Sequence, residues 1–274
     1  MRRLYLVNEV GTTYFLDYKS KTLIETIEGL GFDYDIEYQE FDSSFVESKR
    51  TLPLRVINAT LIFLEGYAGF TKWRDFITKS NNLRLFYEAD GLKYCYVNIK
   101  SSTKTQIESG ILRSAIEIEC LTLWLVNKSK TITVSKSDEG KTYPYKYTYV
   151  YSVSFDGKVT VINESARSIP LKIRITGNVF NPRVLVRQGG VVVSGMRLLL
   201  DERDSPIIEM SADPVNQYIK KIVNGEDIDI YSDQDFSYDN FLFLPPGQSE
   251  IYFDPGVREV STCEISFREE YIAH

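Results

Sequence analysis

Gly66–Lys100 reads GYAGFTKWRDFITKSNNLRLFYEADGLKYCYVNIK, and the period of its apolar residues changes once. Phe70, Trp73 and Ile77 recur at helical spacing with Lys72, Arg74, Asp75 and Lys79 between them, and Ser80-Asn81-Asn82 supplies a stop. Beyond it the period is two. Leu83–Glu88 and Leu92–Ile99 alternate around Asp90-Gly91, a dipeptide suited to the left-handed φ of a two-residue hairpin turn. One helix set among short alternating runs predicts a mainly β fold.

The flanks agree. Arg3–Val7 and Thr12–Asp17 surround a turn at Glu9-Val10-Gly11, Phe32–Tyr38 alternates aromatic or aliphatic with acidic residues, and Leu52–Leu64 ends in an apolar stretch. Ile111–Val126 alternates, then becomes apolar throughout. From Asn127 to Thr142 the chain turns to Lys, Ser, Thr, Asp and Gly, which reads as a linker, so we place domains at 1–130 and 131–274. The second half shows about ten short strands, among them Lys158–Asn163, Arg183–Arg187, Ile207–Ser211, Asp227–Tyr231 and Val260–Phe267. Turn signals stand at Asp156-Gly157 and Gly189-Gly190, and Asp213–Ile219 could hold one helical turn. This spacing predicts a β-sandwich of jelly-roll type.

Composition narrows the function. A net charge of -6 argues against a protein whose task is gripping nucleic acid, because Lys and Arg lead that binding. Cys95, Cys120 and Cys263 stand singly in strand-like runs and read as reduced core residues. No run approaches the ~20 apolar residues of a membrane span, and the apolar run of MRRLYLVNEV is broken too early for a signal peptide, so synthesis in a cytoplasm is expected. The sole histidine is His274, which removes the usual partner for Ser–His, Cys–His and most zinc chemistry. We expect no enzyme, no cofactor and no metal; a paired-carboxylate glycosidase is the least favoured alternative.

Carboxylates crowd EDIDIYSDQDFSYD, Glu226–Asp239. Counted from Asp227, a calcium loop needs Gly at position 6 and Glu at position 12, where Ser232 and Tyr238 stand. The alternation of Asp227–Tyr231 instead predicts a strand with Ile228 and Ile230 turned inward, and Asp233, Asp235 and Asp239 are candidates for docking a partner. Phe70 and Trp73 are candidates for a subunit interface, although the stripe they share also suits a helix sealed on its own sheet. Tyr143, Tyr145, Tyr147, Tyr149 and Tyr151 would share one strand face, either a contact surface or half of a core.

The order of these elements resembles the siphophage distal tail (Dit) proteins. The resemblance rests on Gly66–Lys100 followed by ILRSAIEIECLTLWLV, then on VSFDGKVTVINESARSIPLKIRITGNVFNPRVLV, FLPPGQSEIYF and VSTCEISFREEYI, and covers nearly the whole chain. It implies an N-terminal β-sandwich with one packed helix, which forms a ring, and a galectin-like C-terminal sandwich. It also implies a virion protein at the tail tip: a homohexameric ring joining the tail tube protein to the tail-tip protein and supporting receptor-binding proteins, with DNA passing through unbound. An acidic chain suits such a lumen.

The alternative is a carbohydrate-binding module for host wall sugars in the second half. VFNPR, Val179–Arg183, is similar to a galectin run, but Val179 stands where galectins have His, and no Trp follows Trp124. Tyr218, Tyr231 or Tyr238 would have to offer the stacking face.

Overall fold

The computed structural model describes residues 3–89, 91–134, 157–239, 241–257 and 259–273. The chain divides into two compact units, Met1–Val126 with Glu270–His274, and Asn127–Glu269. Both are built from antiparallel strands, with one α-helix among the described residues.

The first unit holds β1 (Arg3–Val7), β2 (Thr13–Phe15), β3 (Thr22–Glu28), β4 (Asp35–Phe41), β5 (Ser44–Thr51), β6 (Arg55–Phe63), α1 (Tyr67–Thr78), β7 (Leu83–Glu88), β8 (Leu92–Ser102), β9 (Leu112–Cys120) and the start of β10 (Trp124–Val134). Its main sheet runs β2-β1-β7-β8-β9-β6-β3. The long strand β8 serves three partners, pairing β7 through Leu92–Val97, β9 through Val97–Ser102 with a bulge near Ile99, and β10 at Tyr94↔Leu125. Alternation along β6, β7 and β9 turns Ile57, Leu61, Phe63, Leu85, Leu112 and Ile118 inward. The helix closes this core: Trp73 is buried, its ring meets Tyr14 edge-on at 5.3 Å, and its Nε1–H donates to Ser102 Oγ at 3.1 Å. Gly69 lies against Phe63 so closely that a Cβ would sit 3.2 Å from it, which is how the helix reaches the sheet.

Strands β4 and β5 stand apart. Among the described residues they pair only with each other, through register from Asp35↔Thr51 to Phe41↔Ser44 with a bulge near Glu37. Every residue of β4 and β5 is exposed except the half-buried Ile36. The Phe32–Tyr38 strand read from the sequence is thus shifted to Asp35–Phe41, and its partner was not foreseen. The shift follows from Tyr34, whose ring carries Arg50 at 5.1 Å and packs on Phe32, forming the base of the ribbon instead of its first rung.

The second unit continues β10 and adds β11 (Gly157–Asn163), β12 (Ile169–Gly177), β13 (Val179–Phe180), β14 (Arg183–Gln188), β15 (Val191–Arg197), β16 (Asp201–Glu202), β17 (Ile207–Ser211), β18 (Tyr218–Val223), β19 (Glu226–Asp229), β20 (Phe243–Leu244), β21 (Gly247–Asp254) and β22 (Ser261–Tyr271). Two layers face each other, one containing β19-β18-β17-β12-β22 and the other β11-β21-β14-β15. Ile173, Ile175, Ile208 and Ile265 from the first meet Val184, Val186, Ile251 and Phe253 from the second in one core. Two charged groups enter the interior with partners: Glu269 with Lys128 at 2.7 Å, and Glu209 with Arg174 at 2.6 Å.

Two expectations need correction. Residues 127–134 are not linker but the rest of β10, with Ile132 and Val134 in the second core; polar residues on the strand's outer face had masked its period of two. Asp213–Asn216 forms a turn closed by Asn216 N–H on the Asp213 carbonyl at 2.9 Å, after which the chain enters β18 directly. The expected tyrosine stretch 143–151, the strand 149–155, the rest of the linker reading, Asp90 and His274 lie outside the described residues. Cys95, Cys120 and Cys263 are buried free thiols, the first two with sulfurs 3.9 Å apart.

Candidate interaction surfaces

The acidic run begins as a hairpin. Asn224 and Gly225, both at positive φ, turn β18 into β19, setting Lys220 opposite Asp229 and Lys221 opposite Ile228. Lys220 Nζ reaches Asp227 Oδ2 at 2.6 Å, which raises the lysine's pKa. Ile230 is buried as expected, but Ile228 is 41% exposed. Its strand is the sheet edge, and its cross-strand neighbour Lys221 already pairs with Glu202 at 2.7 Å, so the apolar interior has ended at that rung.

After β19 the chain makes a 3₁₀ turn, Tyr231–Asp233, and then runs along the outer edge of β15. Leu199 N–H donates to the Asp233 carbonyl at 2.6 Å, Asp235 N–H donates to the Arg197 carbonyl at 2.9 Å, and Gly195 N–H donates to Asp239 Oδ2 at 3.1 Å. Asp235 also accepts from Ser237 N–H and Oγ–H at 3.1 and 2.7 Å and faces Arg197 at 3.5 Å. Those hydrogen bonds from Ser237, with Arg197 behind them, hold its carboxyl below the usual range. Of the three docking candidates, Asp235 and Asp239 therefore strap the loop to an edge strand that would otherwise be open, and only the Asp233 side chain has no such role among the described residues.

Beside the strap lie two grooves. One, of about 520 Å³, is lined by Gln217, Tyr218, Lys220, Asp227, Asp229, Tyr231 and Phe241. The other, of about 690 Å³, carries Val193, Phe236, Tyr238 and Phe243. The VFNPR run lines neither: Val179 is buried, Asn181 N–H donates to the Leu200 carbonyl at 2.8 Å, and Arg183 faces Asp254 at 3.3 Å. Val179, the Asn181 backbone and Arg183 are thus engaged within the fold, while Phe180 stays exposed at 44%. Among the described residues no cluster of three His, Cys, Asp or Glu is placed to hold a metal ion.

In the first unit, the interface candidates part company. Trp73 is only 1% exposed and faces the core, whereas Phe70 is half-buried with its ring edge-on to Phe63 at 5.6 Å. The larger unpartnered surface is the β4–β5 ribbon. Residues paired across antiparallel strands share a face, so Tyr38 and Phe45 stand on one side of the ribbon and Phe41 and Val46 on the other. All four are exposed. The sequence signal for this hairpin was Phe41-Asp42-Ser43-Ser44, whose Asp42 takes a positive φ between two alternating runs.

Comparison with known families then bears on what these surfaces serve. Residues 3–121 match the family model for the distal tail protein, N-terminal domain. Residues 3–121 are thus similar to the N-terminal domain of distal tail proteins. Among solved structures, the chain is similar to one from the phage P2 baseplate in its activated conformation with calcium, at 14% identity and TM-score 0.64 over 100% of both chains. It is likewise similar to the SPP1 Dit protein, described as a paradigm of the hub adsorption apparatus in phages infecting Gram-positive hosts, at 12% identity and TM-score 0.65 over 98% of this chain and 99% of that one. Such identities speak for the fold. A search of curated proteins finds no match. No helix among the described residues is long and apolar enough to cross a membrane.

Proposed function

We propose that the protein closes with five further copies into a hexameric ring at the end of the tail tube, joins that tube to the tail-tip protein, and carries the receptor-binding proteins. The first unit forms the ring, and the second, read as galectin-like, faces the adsorption apparatus. DNA passes through a lumen that repels phosphate, consistent with the net charge of -6.

The observation that carries this reading is the β4–β5 ribbon. A two-stranded hairpin is marginal in water by itself, yet this one exposes both faces, with Tyr38, Phe41, Phe45 and Val46 bare. A neighbouring copy is the occupant that fits, because a head-to-tail contact repeated around a ring covers the same surface on each chain. Phe70 stays a candidate at that seam; Trp73 supports it from beneath. Light scattering tests the assembly. The expected particle is six times the 31.6 kDa chain, and a chain that stays monomeric at high concentration, with its tail partners present, overturns the proposal.

A further inference from the structure

We propose that the groove between the start of β18 and the Tyr231 turn binds a neutral saccharide. This goes beyond the ring and does not depend on it, since every residue involved lies in the second unit.

The groove offers a sugar complementary chemistry on a fixed frame. A pyranose presents a face of C–H bonds and a rim of hydroxyls, so it needs an exposed aromatic plane flanked by fixed donors and acceptors. Tyr231 provides the plane: it is 42% exposed, with the Phe241 and Phe236 rings at centroid distances of 6.4 and 6.1 Å packing against it. Tyr218 adds a second ring on the same groove. The acceptors are Asp227 and Asp229, and both are half-engaged. Asp227 Oδ2 meets Lys220 and Asp229 Oδ1 accepts Tyr231 N–H at 2.9 Å, so Asp227 Oδ1 and Asp229 Oδ2 remain open among the described residues. Lys220 and the exposed Gln217 amide supply donors. Because the β18–β19 register and the Asp229–Tyr231 bond fix these groups, ordering them costs a ligand little.

A volume of about 520 Å³ lies within the ~300–1,000 Å³ of small-ligand clefts and admits a short oligosaccharide. Two carboxylates against one lysine select against uronic and sialic acids. The chemistry also separates this groove from its neighbour: Val193, Phe236 and Phe243 offer aliphatic and phenyl surface suited to a protein side chain, whereas here the exposed apolar surface is ring face and the rest is hydrogen-bonding.

The test is isothermal titration calorimetry and NMR shift mapping on the full chain with cellotetraose, N-acetylchitotetraose, β-1,4-galactotetraose and, as an acidic control, tetragalacturonic acid. At least one neutral probe is expected to bind with a Kd below about 1 mM and to shift Tyr218 and Tyr231. Y231A should weaken it roughly tenfold through lost stacking, Y231F should retain it, and D229N should weaken it without altering the thermal melt. No response to any neutral probe at about 10 mM overturns the proposal, as does binding unchanged in Y231A and D229N. So does a groove that responds only to another tail protein, or one that takes the acidic control as tightly as the neutral probes.

Discussion

Replacing Tyr38 and Phe45 together by serine strips one face of the β4–β5 ribbon. Phe45 is 70% exposed and Tyr38 58%; taking ~200 Å² for a whole aromatic side chain, they leave about 250 Å² of largely apolar surface for a neighbour. At ~25 cal/mol per Å² that is about 6 kcal/mol per contact if all of it is covered, and about 3 kcal/mol if half is. The smaller figure already weakens each contact ~100-fold. Since neither side chain enters the unit's own core, the melt of the isolated chain should move by no more than about 0.5 kcal/mol in stability. Sedimentation velocity across a concentration series separates the two quantities. Rings forming at the wild-type concentration would refute the ribbon as the seam. A variant that unfolds would equally refute the premise that these side chains are free of the chain's own core.

Three further outcomes follow from the same structure. W73A removes a fully buried side chain and the Ser102 bond, and should cost about 3–5 kcal/mol in urea denaturation; a loss below 1 kcal/mol would mean the side chain is not core. D239A frees Gly195 N–H, so amide exchange at Gly195 and along the strap should accelerate while exchange in β12 stays slow. Glu65, hydrogen-bonded to Lys21 and Lys72 at 2.8 and 2.7 Å, has its pKa lowered from 4.5 to about 2. Its contribution to stability is present above pH 4.5 and fades as pH falls through 2, so the melting temperature of E65Q should lie below wild type at pH 7 and converge with it near pH 2.

The legible parts of the fold were those where one residue period persisted. Phe70, Trp73 and Ile77 marked α1, and Leu83–Glu88 with its partner marked the β7–β8 hairpin. Thr22–Glu28 escaped because Glu25 and Glu28 interrupt its apolar residues beside a bulge in its pairing with β6. Residues 127–134 escaped because a strand with a polar outer face and only Ile132 and Val134 inside looks like linker. The interaction surfaces were less legible still. Carboxylate density drew attention to Glu226–Asp239, yet what Asp235 and Asp239 do depends on β15 lying alongside, a long-range fact no local pattern carries. Tyr218 and Tyr231 were visible as tyrosines; only the β18–β19 turn brings them to one groove with Asp229.

The last strand has a bearing on how the chain is made. Tyr271 packs on the first unit's core and takes Lys93 on its ring at 4.7 Å, while the Ile272 carbonyl accepts Arg55 Nη1 at 3.2 Å. The first unit is therefore discontinuous in sequence, completed by residues translated only after all of Asn127–Glu269. During synthesis the early unit must wait, with Arg55 and Lys93 lacking those contacts, until the strand that also completes the second unit's sheet arrives. Removing Tyr271 and Ile272 should for that reason injure the half of the molecule farthest away in the gene.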